Sequence, residues 1–273
     1  MSEKIKNITL GTDPELFAYS PIEQTYKPLC SLLGGSKTKP LCVVKDEPGF
    51  TLQEDNVAAE FTIPPVKNVE DWIKNINFMK DYIQDTVLNP LILEPNYSSS
   101  ARFKEEYLKS KGAQTMGCDT SYNAYSFKAN KVDRSDYTLR TTGFHIHIGY
   151  DEPDVETSVN IIKAMDLFLG VPSVMIDPDT ERRRMYGKAG EYRLTTYGCE
   201  YRVLGGFFLA SEELLSWCFN NTMAALKFVN EGGIITNEEE IIEAINKCDK
   251  DLAYEIVDDY KVEVLKINLI NNY

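Results

Sequence analysis

The chain has only two histidines, and they stand two positions apart in Thr142-Gly143-Phe144-His145-Ile146-His147-Ile148-Gly149. Phe144, Ile146, Ile148 and Tyr150 alternate with His145, His147 and Gly149. A period of two means a strand with one apolar face and one imidazole-bearing face. Such a strand reads as the floor of a polar cleft; the plainer reading is a pair of surface histidines. Three further segments set charges into stretches otherwise built for a core. Asp13 and Glu15 flank Pro14, so on an extended backbone they project to one side. Glu60 interrupts the alternating run Val57 to Ile63, which Pro64-Pro65 stops. Glu200 and Arg202 share a face in Tyr197 to Leu204, with Tyr201 and Val203 opposite. Each piece alone has a bland explanation: Asp-Pro-Glu as a turn, Glu60 as an edge-strand charge. Together, on neighbouring strands of one sheet, they would collect Asp, Glu and His on a single face.

Buried carboxylates repel one another and are costly unless something neutralises them. The simplest neutraliser is a divalent cation. An oxygen-rich set with one or two imidazoles suits Mg²⁺ or Mn²⁺ better than zinc, which prefers closed His/Cys tetrahedra. The counterpart is basic: Glu181 to Arg193 carries Arg182, Arg183, Arg184, Lys188 and Arg193, punctuated by glycines. Arginine forks bind phosphate or carboxylate oxygens, so this stretch fits a polyphosphate with its metals; a solvated loop or a nucleic-acid patch is the alternative. There is no GxGxxG or Walker-type loop, which argues against a Rossmann or P-loop nucleotide site.

Several elements must position these groups. Residues 6–19 read as a strand interrupted at 11–15. The best helix is 69–88, with Val69, Trp72, Ile76, Met79, Ile83 and Val87 at helical spacing and Asn68 with Asp71 as cap. Residues 101–112 read as a short charged helix, and 113–140 as loop with strand. Glu156 to Leu169 reads as a helix ended by Gly170 and Pro172, and 177–193 as a basic loop. Residues 211–231 form a second strong helix, and Asn237 with Glu240 reads as a capping box opening a helix to about Lys247. Strands and helices do not alternate regularly, so α+β with a largely antiparallel sheet is expected. No repeat or linker is visible, and a single domain over 1–273, helical from about 211 onward, is expected.

Net charge of −13 disfavours general nucleic-acid or anionic-membrane binding. Six cysteines lie far apart with no Cys-x-x-Cys pair, as in a reducing cytosol. No apolar stretch follows Met1-Ser2-Glu3-Lys4, and no run approaches the ~18 apolar residues of a membrane span. A soluble, cytoplasmic protein is expected.

Gly11-Thr12-Asp13-Pro14-Glu15, Ala59-Glu60-Phe61 with Pro64-Pro65, Gly117 to Tyr125, Gly143 to Gly149 and Tyr197 to Arg202 follow one another in an order that resembles the glutamine synthetase-like carboxylate–amine ligases. Among these the chain is similar to the phage-encoded COOH.NH2 ligases of type 2. The resemblance implies an α+β fold whose curved, mostly antiparallel sheet, backed by helices on its convex face, binds ATP and two or three Mg²⁺ or Mn²⁺ ions on its concave face. It implies Glu15 and Glu60 on one ion, and Asp13, His145 and Glu200 on the other. His147 would lie near the ATP phosphates. Arg202 and Arg193 would meet the transferred phosphate or the substrate carboxylate, helped by Arg182 to Arg184. Asp13 stands where glutamine synthetases use Glu. The Glu15 ion lacks a clear third acid, Glu54 and Asp55 being the options. The small N-terminal domain of glutamine synthetase is missing, so no ring assembly is inferred.

The implied reaction activates a carboxylate as an acyl phosphate, which an amine then converts to an amide. Both substrates would be small molecules or peptides, in the host cytoplasm if the chain is phage-encoded. Rival readings are a guanidino-kinase-like phosphotransferase, a metal-dependent hydrolase, and a non-catalytic binding or structural protein of the same fold.

Overall fold

The computed structural model describes residues 4–114 and 121–265; Gly117 to Thr120, part of the resemblance above, lie outside them. Thirteen strands are present among the described residues: β1 (Thr9–Thr12), β2 (Glu15–Ser20), β3 (Thr25–Lys27), β4 (Leu41–Val44), β5 (Glu47–Asp55), β6 (Ala58–Thr62), β7 (Glu94–Asn96), β8 (Ser100–Arg102), β9 (Tyr122–Asn123), β10 (Leu139–Thr141), β11 (Ile146–Gly149), β12 (Glu191–Thr195) and β13 (Gly198–Tyr201). The helices are α1 (Val69–Ile83), α2 (Lys111–Gln114), α3 (Val155–Met165), α4 (Val171–Ile176), α5 (Arg182–Met185), α6 (Glu212–Asn230), α7 (Glu238–Lys247) and α8 (Lys250–Tyr260). One sheet has the order β1-β11-β13-β12-β9; another runs β3-β2-β6-β5-β4 with β7 added to β2; β8 and β10 form a separate pair. The pairings between these strands are antiparallel. The expected α+β class with antiparallel sheets is what the chain forms.

Asp13 and Pro14 join the two larger sheets. The chain leaves β1 in the first and enters β2 in the second with no turn between. Glu15 N–H donates to Gly143 O at 2.9 Å, and Phe61 N–H donates to Pro14 O at 3.2 Å, so both sheets hold the crossing. Glu60 is no edge charge: β6 lies between β2 and β5, and it is buried on both sides.

The helices cover the face opposite the histidines. Phe144, Ile146 and Ile148 are fully buried in one core with Trp72 of α1 and Leu215 of α6, each buried aliphatic contributing roughly 1.5–3 kcal/mol. Trp72 Nε1–H donates to Leu215 O at 3.1 Å, and its ring meets Phe144 edge-on at 6.1 Å. Asn68 caps α1 as expected, accepting from Asp71 N–H at 2.8 Å. Asn237 precedes α7 without a backbone cap bond; its side chain bonds Glu240 instead. Residues 101–112 depart from the expected helix: β8 opens the segment, a 3₁₀ turn spans Glu105–Leu108, and α2 is one turn long. The basic stretch is not all loop either, since it contains α5 and the start of β12.

Gly170 and Pro172 do not end the helix that begins at Val155. A π turn at Asp166–Gly170 carries it into α4, with Val171 N–H bonding Asp166 O. Pro172 cannot donate to Phe168 O four residues back, and Asn221 of α6 supplies that donor at 2.9 Å. The resulting stretch Val155–Ile176 is long and apolar enough to cross a membrane by length and composition, contrary to the sequence reading, but 78% of its 18-residue apolar window is buried inside the protein. Its apolarity serves the core.

Candidate active site

Register places the charged side chains in rows. Gly11, His147, Glu200 and Arg193 lie abreast on β1, β11, β13 and β12. One step along the strands, His145 comes level with Arg202, whose N–H donates to Glu191 O at 3.0 Å. Asp13 lies just past the end of β1. These side chains share one face because strand residues two apart point the same way.

The first cluster is Asp13, His147 and Glu200, whose ligand-type atoms lie within 4.8 Å of one another. His147 Nε2 is 3.1 Å from Asp13 Oδ1, yet it is buried without a hydrogen bond. On its other side His147 Nδ1 meets Tyr197 Oη at 2.5 Å. His145 Nδ1 is 3.1 Å from Asp13 Oδ1 and 3.6 Å from Glu200 Oε1. Glu200, 2% exposed, also contacts Arg202 Nη1, and Arg193 Nη1 lies 3.4 Å from its Oε2. Burial opposes ionisation of Asp13, but His147 and His145 outweigh it and hold its carboxyl well below the usual range. Burial and the nearby Arg202 push the His145 imidazole down. For His147, burial acts downward too, but Asp13 and Glu200 leave it raised.

The second cluster is Glu15, Asp55 and Glu60, again within 4.8 Å. Glu15 and Glu60 face each other across β2 and β6. Gly143 N–H donates to Glu15 Oε2 at 2.8 Å, and Gln53 Nε2–H to Glu60 Oε2 at 2.9 Å. Burial, then the charges of Asp55 and Glu60, push Glu15 well above its ordinary value. Burial, then Asp13 and Asp55, raise Glu60 to about 8. Lys37 Nζ reaches Asp55 Oδ2 at 2.9 Å. Burial lowers the Lys37 pKa, and Asp55, Glu60 and Glu15 together more than restore it.

Beside the second cluster is a cavity of about 60 Å³, room for a small ion or a few waters. Glu15, Asp55, Arg140, His145, Arg182, Glu191 and Arg202 line it. It brings Glu15 and Asp55 of the second acid set together with His145 and three arginines.

The sequence-derived residues Asp13, Glu15, Glu60, His145, His147, Glu200, Arg193 and Arg202 therefore converge. The compact triad contains His147 where the sequence reading put His145, which flanks it. The arginines of α5 go three ways. Arg182 is buried at the cavity wall, but its guanidinium donates to the carbonyls of Thr142, Val203 and Arg202, which makes it a clamp between chain segments. Arg183 turns toward the helices, bonding Ser173 Oγ at 2.7 Å. Arg184 is half exposed, pairs with Asp133 and Glu181, and is absent from the cavity wall. Sequence reasoning missed Arg140, Glu191, Lys37 and the Tyr197 contact. It left Asp55 and Glu54 as equals; Glu54 instead accepts from Ser31 N–H at 2.7 Å. The parity of Gln53 and Asp55 on one strand was the available signal.

An antiparallel α+β scaffold carrying paired carboxylate and imidazole clusters beside arginines is the class these observations define. Residues 103–273 match the family described as Phage phiEco32-like COOH.NH2 ligase-type 2, and the chain belongs to this family of carboxylate–amine ligases. The matched region contains His145, His147, Arg193, Glu200 and Arg202; Asp13, Glu15, Asp55 and Glu60 precede it. A crystal structure of a bifunctional glutathione synthetase from Pasteurella multocida aligns with a TM-score of 0.42 and 10% identity over 93% of this chain and 49% of that one. A crystal structure of a novel glutamine synthase homolog aligns with a TM-score of 0.42 and 11% identity over 92% of this chain and 63% of that one. This chain thus spans about half to under two thirds of those proteins. No curated protein matches the sequence.

Proposed function

We propose that the protein is an ATP-dependent carboxylate–amine ligase of a single domain, working through an acyl phosphate with Mg²⁺ or Mn²⁺. The observation that carries this reading, beside family membership, is the pair of buried acid clusters joined through Asp13-Pro14-Glu15. Their donors fit hard divalent ions: five carboxylates and one imidazole. Asp13, His147 and Glu200 would hold one ion, and Glu15, Asp55 and Glu60 the other. One core running from Leu16 and Phe61 through Ile146 to Leu226 supports a single unit. The cytoplasm is the compartment that suits the five described cysteines, all free.

An ionised carboxylate resists attack by an amine. ATP supplies the activation: a carboxylate oxygen attacks the γ-phosphorus, ADP leaves, and an acyl phosphate forms. The amine nitrogen then attacks the acyl carbon, phosphate departs, and a carboxylate near the amine accepts its proton. The ions supply positive charge where phosphoryl oxygens gather. This chain's own groups act around that centre. Arg202 and Arg193 would give donors to the transferred phosphoryl or the substrate carboxylate, in exchange for part of their contact with Glu200. His145 braces Asp13 and Glu200, and Tyr197 fixes the ring of His147 through Nδ1. Small-molecule or peptide acids and amines are the substrates this reading takes.

The test is ADP release from ATP and Mg²⁺ with panels of acids and amines. Release that requires both, and is lost in Glu15→Ala, is expected. A stable phosphorylated product without free phosphate would make the protein a phosphotransferase. Failure of ATP to bind by calorimetry with Mg²⁺ present would end the ligase reading.

A further inference from the structure

We infer that Lys37 is a built-in competitor for the cation of the Glu15–Asp55–Glu60 cluster, carried on a turn that moves off when the ion arrives. The inference rests on the metal reading of that cluster.

The turn is Ser36 to Lys39. Ser36 N–H donates to Lys39 O at 3.0 Å and Lys39 N–H to Ser36 O at 2.9 Å, which puts Lys37 and Thr38 at the tip of a two-residue loop. The tip is tied to the end of β5 by the 2.9 Å pair between Lys37 Nζ and Asp55 Oδ2. The two partners differ in exposure: the Lys37 side chain is 43% exposed and that of Asp55 16%. The ammonium therefore has a path to solvent, whereas the carboxylate stays.

The base of the turn is fastened. Glu54 N–H donates to Gly35 O at 3.1 Å, and a Cβ on Gly35 would lie 2.2 Å from Leu52 O, so Gly35 sits flush on β5. Gly34 before it has φ +76° and nothing within 4 Å of a would-be Cβ. Movement is thus confined to the four residues beyond Gly35.

Charge decides the rest. Three carboxylates within 4.8 Å attract one cation strongly, and Lys37 meets part of that demand with a single positive charge. A divalent ion meets more of it and needs the Asp55 oxygen that Lys37 holds. Once an ion is seated, an ammonium about 3–4 Å away is repelled, and the tip leaves.

The experiment is Mn²⁺ titration followed by EPR of the free ion, with hydrogen exchange of the peptide covering 34–40. Lys37→Met is expected to bind Mn²⁺ about fivefold more tightly at this cluster, the scale of a partly exposed ion pair, and Lys37→Arg to bind as the wild type does. In the wild type, Mn²⁺ should speed exchange at 36–39; in Lys37→Met exchange should be fast from the start and unmoved by the ion. Unchanged or weaker Mn²⁺ binding in Lys37→Met, or slower exchange at 36–39 with Mn²⁺, would overturn the inference alone. An unchanged number of bound Mn²⁺ ions in Glu15→Gln with Glu60→Gln, where one of two should be lost, would instead remove the metal reading beneath it.

Discussion

Glu60→Gln should stabilise the metal-free protein and reduce its stabilisation by Mn²⁺. Glu60 has an ordinary value of 4.5 and is raised to about 8 in the fold, by burial and then by Asp13 and Asp55. A carboxyl whose folded pKa is raised contributes its full stability below the unfolded value and loses it as pH rises toward the folded one. Stability should therefore fall between about pH 5 and pH 8, by on the order of 3 kcal/mol from this group. Gln keeps the shape and the contact with Gln53 while removing the charge. The wild type and Glu60→Gln should match near pH 5, and the variant should gain on the wild type up to pH 8. For a chain of this size, 3 kcal/mol corresponds to roughly 6–12 °C in Tm. The assay is thermal and urea unfolding at pH 5, 6.5 and 8, with chelator and with Mn²⁺. Parallel pH profiles for the two proteins, or an equal Mn²⁺ shift in both, would refute the reasoning that these acids are held together for a cation.

Three further outcomes follow from the geometry. His147→Ala should weaken Mn²⁺ binding at the Asp13–Glu200 cluster about 10- to 100-fold, with His145→Ala milder; calorimetry giving the reverse order would restore His145 as the ligand. Arg182→Lys should lose on the order of 2–3 kcal/mol of unfolding free energy, because a point-like ammonium lacks the spread of the fork whose Nε, Nη1 and Nη2 reach three carbonyls; unchanged stability with weakened ATP binding would make Arg182 a phosphate contact. Asn221→Leu should cost about 1–3 kcal/mol in urea unfolding, since the Phe168 carbonyl beside Pro172 loses its donor, and no cost would mean that the π turn is self-sufficient.

Alternation exposed the strand faces: Phe144, Ile146 and Ile148 went to the core and the imidazoles to the other side, because a pleated strand leaves no third option. The cap at Asn68 was equally local and equally legible. Pro172 misled because its repair comes from Asn221, on a helix that sequence proximity does not suggest. The arginine run misled for another reason. Composition gives the charge of a segment, whereas one helical turn sends Arg182, Arg183 and Arg184 in three directions. Asp55 and Lys37 depended on the register of β5 against β6 and on where a loop folds back, neither of which is written in local pattern. The resemblance put His145 with Asp13 and Glu200; both imidazoles lie 3.1 Å from Asp13, and His147 is the one grouped with the two acids.

The two acid clusters belong to different sheets, yet Asp13 and Glu15 are separated by a single proline. Three covalently linked residues act as a fixed spacer, with Pro14 removing one rotation from it. The span between the acidic centres is therefore a property of backbone stereochemistry. Inserting one residue after Pro14 would lengthen that gauge by about 3.3 Å and invert the side of the strand on which Glu15 emerges.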